Sequence, residues 1–204
     1  MAFFNHYSET KSFDDITLVR QCQRGDSKAM DCLILKYQDR IYNTILKICQ
    51  NRDDAAELTQ DTFVKVLESI QSFSGRSSFY TWLFRVAVNL TLNHCRKRFK
   101  TTAVSLDAAN EHFEKDKERL VSMLADPNGP DPAEIAQQKE LAQIVVNLIG
   151  QLPQDFRVVL VLRDIEQMGY AHIADVLELE IGTVKSRLSR ARTLLRELLE
   201  PVLT

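Results

Sequence analysis

From Asp14 to Lys100 the apolar positions recur every three or four residues. Met30, Leu33, Tyr37, Ile41, Ile45 and Ile48 share one side of a helical repeat, which predicts a long amphipathic helix. Gly25-Asp26-Ser27 supplies a break and a cap ahead of it. Asp53-Asp54 is expected to cap the next helix, with Phe63, Val66, Leu67 and Ile70 turned inward. Phe73-Ser74-Gly75 reads as a turn, and Ser77 or Ser78 can cap a last helix running to about Lys100. The buried stripe of that helix is expected to hold Phe79, Leu83, Val86, Ala87 and Leu90.

The period is lost after residue 100 and returns at Pro132. One helix is expected over Ala133–Gly150 and a second over Gln154–Glu166, started by Pro153. Tyr170–Leu177 then forms a short helix with Ile173, Ala174 and Leu177 inward. Glu178–Gly182 makes a turn, and Thr183 caps a helix whose buried stripe is Val184, Leu188, Ala191 and Leu195. The pattern therefore predicts an all-α chain of two small helical domains. A tail covers 1–13, the first domain 14–100, a tether 101–132 and the second domain 133–204.

Composition adds restraint. The 204 residues include only 6 Gly and 5 Pro, which suits helices better than a loop-rich β fold. Cys22, Cys32, Cys49 and Cys95 form no CxxC pair and no zinc-ligand spacing, so they read as small buried apolar residues of a reduced, intracellular protein. The N-terminus has no signal-peptide pattern, and no apolar run approaches the ~20 residues of a membrane span. His6, His94, His112 and His172 have no acid or nucleophile at catalytic spacing, and no phosphate-binding glycine loop is present. No cofactor, metal or catalytic residue is predicted.

Charge redraws the picture through its placement, since the net value is only −2. Residues 85–100 carry five Lys/Arg (Arg85, Arg96, Lys97, Arg98, Lys100) and no acid. Residues 181–196 repeat this with Lys185, Arg187, Arg190, Arg192 and Arg196. Residues 101–131 carry three bases against seven acids, a net of −4, read as solvation of a tether or as a segment lying in a basic channel of a partner. A charge run by itself is usually a solvated helix face. The second run, however, follows a helix-turn-helix pattern, whose outer face would present Lys185, Ser186, Ser189 and Arg190 to a major groove. The first run follows Phe73, Phe79, Tyr80, Trp82 and Phe84, and rings beside positive charge suit single-stranded DNA. About half of these rings are expected to be core.

Taken in order, these motifs resemble the sigma-70 family, in particular its small extracytoplasmic-function group. Leu18–Asp26 resembles that family's opening helix and Gly-Asp turn, and Asp54–Lys65 its polymerase-binding segment. Phe79–Asn89 resembles its melting and −10 recognition segment, and Gly182–Arg192 its −35 recognition helix. The resemblance implies a cytoplasmic, non-enzymatic subunit that directs core RNA polymerase to promoters, serves a stress or envelope regulon and is controlled by an anti-sigma factor. It implies core-polymerase contacts at Asp54, Glu57, Gln60, Asp61 and Lys65. For the single-stranded −10 element it implies Phe73, Arg76, Ser77, Tyr80, Trp82, Arg85, Asn89, Asn93, Arg96 and Lys97. For the duplex −35 element it implies Thr183, Lys185, Ser186, Arg187, Ser189 and Arg190. Arg190, with its planar fork, suits bidentate guanine contact. Phe73-Ser74-Gly75-Arg76 departs from the family's usual Phe-Arg-Gly loop, and Ala171-His172 stands where an acidic pair is common. Two other readings use fewer of these features: a helix-turn-helix regulator with a sensor domain, and an enzyme.

Overall fold

The computed structural model describes residues 14–102 and 144–203, and among them every regular element is helical. The expected Ala133–Gly150 helix lies partly outside the described residues, and the 1–13 tail and most of the tether lie wholly outside them.

The first domain is built from helices whose ends are set by local side chains. α1 (Asp15–Gln23) buries Leu18, Val19 and Cys22 and stops at Gly25, whose φ of 90° suits a residue without a Cβ. Asp26 Oδ1 then accepts from the Lys28 amide at 2.9 Å and caps α2 (Ser27–Cys49). All six apolar residues of the expected stripe on α2 are buried. α3 spans Arg52–Ser69, and its cap is Asn51 rather than the Asp53-Asp54 pair. Asn51 Oδ1 accepts from Asp54 N at 2.9 Å, leaving both acids in the first turn, where the helix dipole favours them. A 3-10 turn, Ile70–Ser72, leads into the loop 73–78. Ser78 Oγ accepts from Thr81 N at 3.0 Å and starts α4 (Phe79–Thr102).

α4 packs against α2 and α3 and also against the second domain. Its buried surface is therefore wider than one stripe. Phe79, Leu83, Phe84, Ala87 and Val88 are buried, while Val86 and Leu90 are half-buried.

In the second domain residues 144–151 are helical (α5). Pro153 precedes α6 (Gln154–Leu160), which does not run on to Glu166 as expected. It widens into a π-helical turn, Val161–Ile165, closed by Glu166 N donating to Val161 O at 2.9 Å. α7 (Tyr170–Leu177) has the predicted bounds, but Val176 is buried with Ile173 and Ala174, and Leu177 is half-buried. Glu178, at φ 54°, ends it in the left-handed region. α8 (Ile181–Leu203) begins two residues before Thr183, because the Glu180 carbonyl already accepts from Val184 N at 3.1 Å. Thr183 is thus inside the first turn and is not the cap. Val184, Leu188 and Ala191 are buried as expected, and Leu195 is half-buried. The apolar cores of both domains join into one cluster. No described helix is long and apolar enough to cross a membrane.

Candidate nucleic-acid interface

α3 turns one continuous face outward. Glu57, Gln60, Asp61 and Lys65 are exposed on it. Asp54 is not free on that face: it is half-buried, pairs with Arg98 of α4 and lies 3.2 Å from His94 Nε2. Leu67, expected inside, is 49% exposed, and Val64 is 53% exposed. Residues 57, 60, 61, 64 and 67 follow helical spacing, so the polar residues and the two aliphatic ones form a single stripe. That spacing was legible; Leu67 was read as core because of its type alone, and Val64 received no reading.

The loop 73–78 and the first half of α4 form an aromatic cluster. The Phe73 ring lies 5.1 Å from Trp82 and 6.1 Å from Phe79, and Phe79 lies 5.8 Å from Trp82. Phe79 and Phe84 are buried and structural, whereas Phe73, Tyr80 and Trp82 keep part of their surface. Gly75, at φ 73°, lets the loop reverse, and Arg76 Nε donates to Ser74 Oγ at 3.1 Å. Ser77 is half-buried, Arg76 exposed.

The loop's entry is braced by a residue with no earlier assignment. Gln23 Nε2 donates to the carbonyls of Ile70 (2.9 Å) and Phe73 (3.0 Å), while Gln71 Nε2 donates to Gln23 O (3.1 Å). These bonds join residues some fifty apart in sequence, so no local pattern announces them.

Further along α4, Asn93, Arg96 and Lys97 are exposed and Asn89 is half-buried. Tyr80 and Arg85 differ. The Arg40 guanidinium lies above the Tyr80 ring, 4.8 Å from its centroid, a cation–π placement. Burial, with Glu166 nearby, pushes the Tyr80 phenol up to about 12. Both Tyr80 Oη and Arg85 Nε are buried without a hydrogen-bond partner among the described residues.

The third surface is the outer side of α8. Lys185, Ser186, Ser189 and Arg190 are exposed there, and Thr183 is half-buried. Lys185 Nζ lies 5.7 Å over the Tyr170 ring, and Ser186 Oγ donates to Thr183 O at 3.0 Å. Arg187 is half-buried and pairs with Asp155 of α6 at 3.1 Å. Arg192 Nε donates to Asp164 Oδ2 at 3.0 Å, tying α8 to the π-helical turn. A short helix, a tight turn and a second helix with a polar outer face have the geometry to enter a major groove. Among the described residues no cluster of His, Cys, Asp and Glu could hold a metal ion.

The chain matches two family descriptions, "Sigma-70 region 2" over residues 33–101 and "Sigma-70, region 4" over residues 142–195. It is 37% identical over 191 residues to the RNA polymerase sigma-H factor of Pseudomonas aeruginosa, covering 93% of this chain and 95% of that protein. It is 33% identical over 192 residues to the ECF RNA polymerase sigma-E factor of Haemophilus influenzae, covering 93% and 97%. Among solved structures it resembles CnrH in complex with the cytosolic domain of CnrY, with TM-score 0.64 and 22% identity over 92% of this chain and 97% of that one. It also resembles the sigma factor RpoE in complex with the anti-sigma factor NepR from Bartonella quintana, with TM-score 0.63 and 24% identity over 85% and 98%. At these identities the structural likeness speaks for the fold.

Proposed function

Because this chain belongs to the extracytoplasmic-function group of the sigma-70 family, whose members direct RNA polymerase to promoters, we propose a residue-level division of that task. Region 2 covers 14–100, the tether 101–132 and region 4 133–204. The outer stripe of α3 docks on core polymerase through Glu57, Gln60, Asp61 and Lys65, with Val64 and Leu67 giving the contact an apolar centre. Asp54 acts from beneath, holding the far half of α4 in place.

The loop 73–78 and α4 handle the −10 element. Extruding a base costs a few kcal/mol, and stacking returns about 1–3 kcal/mol per base. Phe73, Trp82 and Tyr80 provide ring surface for that stacking, and Arg76 and Ser77 flank the loop. Asn89 and Asn93 reach base edges, and Arg85, Arg96 and Lys97 hold phosphates. At the −35 element Lys185, Ser186, Ser189 and Arg190 enter the major groove, while Arg187 shapes the helix from behind. Phosphoryl transfer belongs to the polymerase, and the chain itself turns over no substrate. It works in the cytoplasm, serves a stress or envelope regulon and is restrained by an anti-sigma factor; the fold likeness to the sigma factor RpoE bound to the anti-sigma factor NepR supports the last point.

The observation that carries this reading is the α3 stripe, where two large aliphatic side chains stand in solvent between charged neighbours. Retention of the chain on immobilised core polymerase tests it. Wild type is retained, and Glu57→Lys with Asp61→Lys is lost. Retention of the double variant at wild-type affinity would refute the assignment.

A further inference from the structure

Arg76 carries the only charge of the loop 73–78, where Phe73-Ser74-Gly75-Arg76 replaces the Phe-Arg-Gly pattern usual in the family. The changed residues are bonded to each other. Gly75, at φ 73°, reverses the backbone, and across that reversal Arg76 Nε donates to Ser74 Oγ at 3.1 Å. Both ends of the loop are fixed as well. At its entry Gln23 Nε2 donates to the carbonyls of Ile70 and Phe73. At its exit Ser78 Oγ accepts from Thr81 N at 3.0 Å and lies 2.9 Å from Thr81 Oγ1.

The consequence falls on the guanidinium, a planar group with donors on all three nitrogens and no acceptor. With Nε engaged by Ser74, the edge left for a ligand is the one formed by Nη1 and Nη2. Arg76 is exposed, and among the described residues no carboxylate pairs with it. A fork of two parallel donors matches a flat group that offers two adjacent acceptors. The stacking surface for such a group stands in the same loop and the helix after it, in the rings of Phe73 and Trp82.

We propose that Arg76, oriented by Ser74, is the base-selecting residue of this loop, and that it selects an extruded base with two adjacent acceptors: guanine through O6 and N7, or cytosine through O2 and N3. This selection rests on the −10 role given above and names the base chemistry of that site. At adenine, N7 lies beside the N6 amine, and at thymine, O4 lies beside N3–H or the methyl group. One arm of the fork would then face a donor or a methyl. A phosphate makes no such demand, since a lysine serves it as a point charge. Pinning Nε fixes the plane of the fork, and that plane is what tells one base edge from another. Fixing the loop before DNA arrives also reduces the ordering needed on binding.

Transcription by holoenzyme, reconstituted from core polymerase and the full chain, tests this on a duplex library randomised across the −35 and −10 regions. Templates that yield transcripts are sequenced. Wild type is expected to favour G or C over A and T by about fivefold or more at one −10 position. Arg76→Ala removes that preference and leaves those at other positions. Arg76→Lys keeps the charge, loses the fork and removes it too. Ser74→Ala weakens the preference, whereas Ser74→Thr, which keeps the hydroxyl, retains it. Both side chains are exposed, so the substitutions leave the core untouched, and core-polymerase retention equal to wild type checks this. A template with 7-deazaguanine at the selected pair loses its advantage if guanine is the base read and keeps it if cytosine is. Arg76→Ala lowering transcription of all templates alike, with every preference unchanged, would make Arg76 a phosphate contact and overturn the proposal. So would Arg76→Lys with the preference intact. A library that yields no chain-dependent transcript with wild type would instead refute the −10 role itself, and base selection with it.

Discussion

Tyr80 shows two demands meeting on one side chain. Its ring sits where a base could stack, but its hydroxyl is buried without a partner beneath Arg40. Tyr80→Phe removes that orphan group, so the variant is expected to be as stable as wild type or about 1 kcal/mol more stable, read by urea denaturation at neutral pH. The phenol moves from its ordinary 10 up to about 12 in the folded chain. The neutral form is thus favoured by folding. The associated stability is present below pH 10 and is lost as pH climbs from 10 to 12. Tyr80→Phe should lose less stability across that window, and an identical alkaline slope in both proteins would contradict the shift. Gln23 offers a second test. Gln23→Met keeps the length but removes the donors that hold Ile70 and Phe73. Since the chain has one tryptophan, and it packs on Phe73, the emission of Trp82 reports the loop directly. The variant is expected to shift that emission and shorten open-complex lifetime while core-polymerase retention is unchanged. What sequence reading missed at this scale is instructive. Leu67 was placed inside by its chemical type, and Glu166 received no role because its partners lie more than a hundred residues away.

At the scale of the element, the hydrophobic period located the described helices well and their ends less well. α7 has the predicted bounds, and the α2 stripe is buried throughout. The ends slipped where two capping residues stood close together. Asn51 caps α3 ahead of the more conspicuous Asp53-Asp54, and α8 starts before Thr183. Asn51→Ala is expected to cost about 1 kcal/mol in urea denaturation, whereas Asp53→Ala should cost at most a few tenths. The π-helical turn left no trace in the pattern, since one extra residue in a helical turn does not disturb an apolar run such as Val158–Leu162. On α8, Arg190→Ala is expected to weaken −35 duplex binding by about 1–3 kcal/mol and relax preference at one base pair. Lys185→Ala instead weakens all sequences alike and lowers the salt slope by about one. Equal effects from both would contradict their separate roles.

Across the whole molecule, two helical domains, the placement of positive charge at the end of each, and the family were all legible in the sequence. Their mutual arrangement was not. Periodicity reports which side of a helix is buried, but it cannot say whether the covering surface belongs to the same domain. α4 illustrates this, with a buried face too wide for its own bundle because the second domain packs on it. The alternative of a helix-turn-helix regulator with a sensor domain has no use for the α3 stripe or for the ring-and-arginine surface of α4. The proposed function gives both a use, polymerase at one face and a separated strand at the other. The most direct test of that account is transcription from sheared genomic DNA of the source organism by purified core RNA polymerase, with and without this chain, followed by mapping of transcript 5′ ends. The account predicts a set of 5′ ends that require the chain and share sequence elements near −10 and −35, and that disappear with the Glu57→Lys, Asp61→Lys variant. Identical 5′ ends with and without the chain would contradict it.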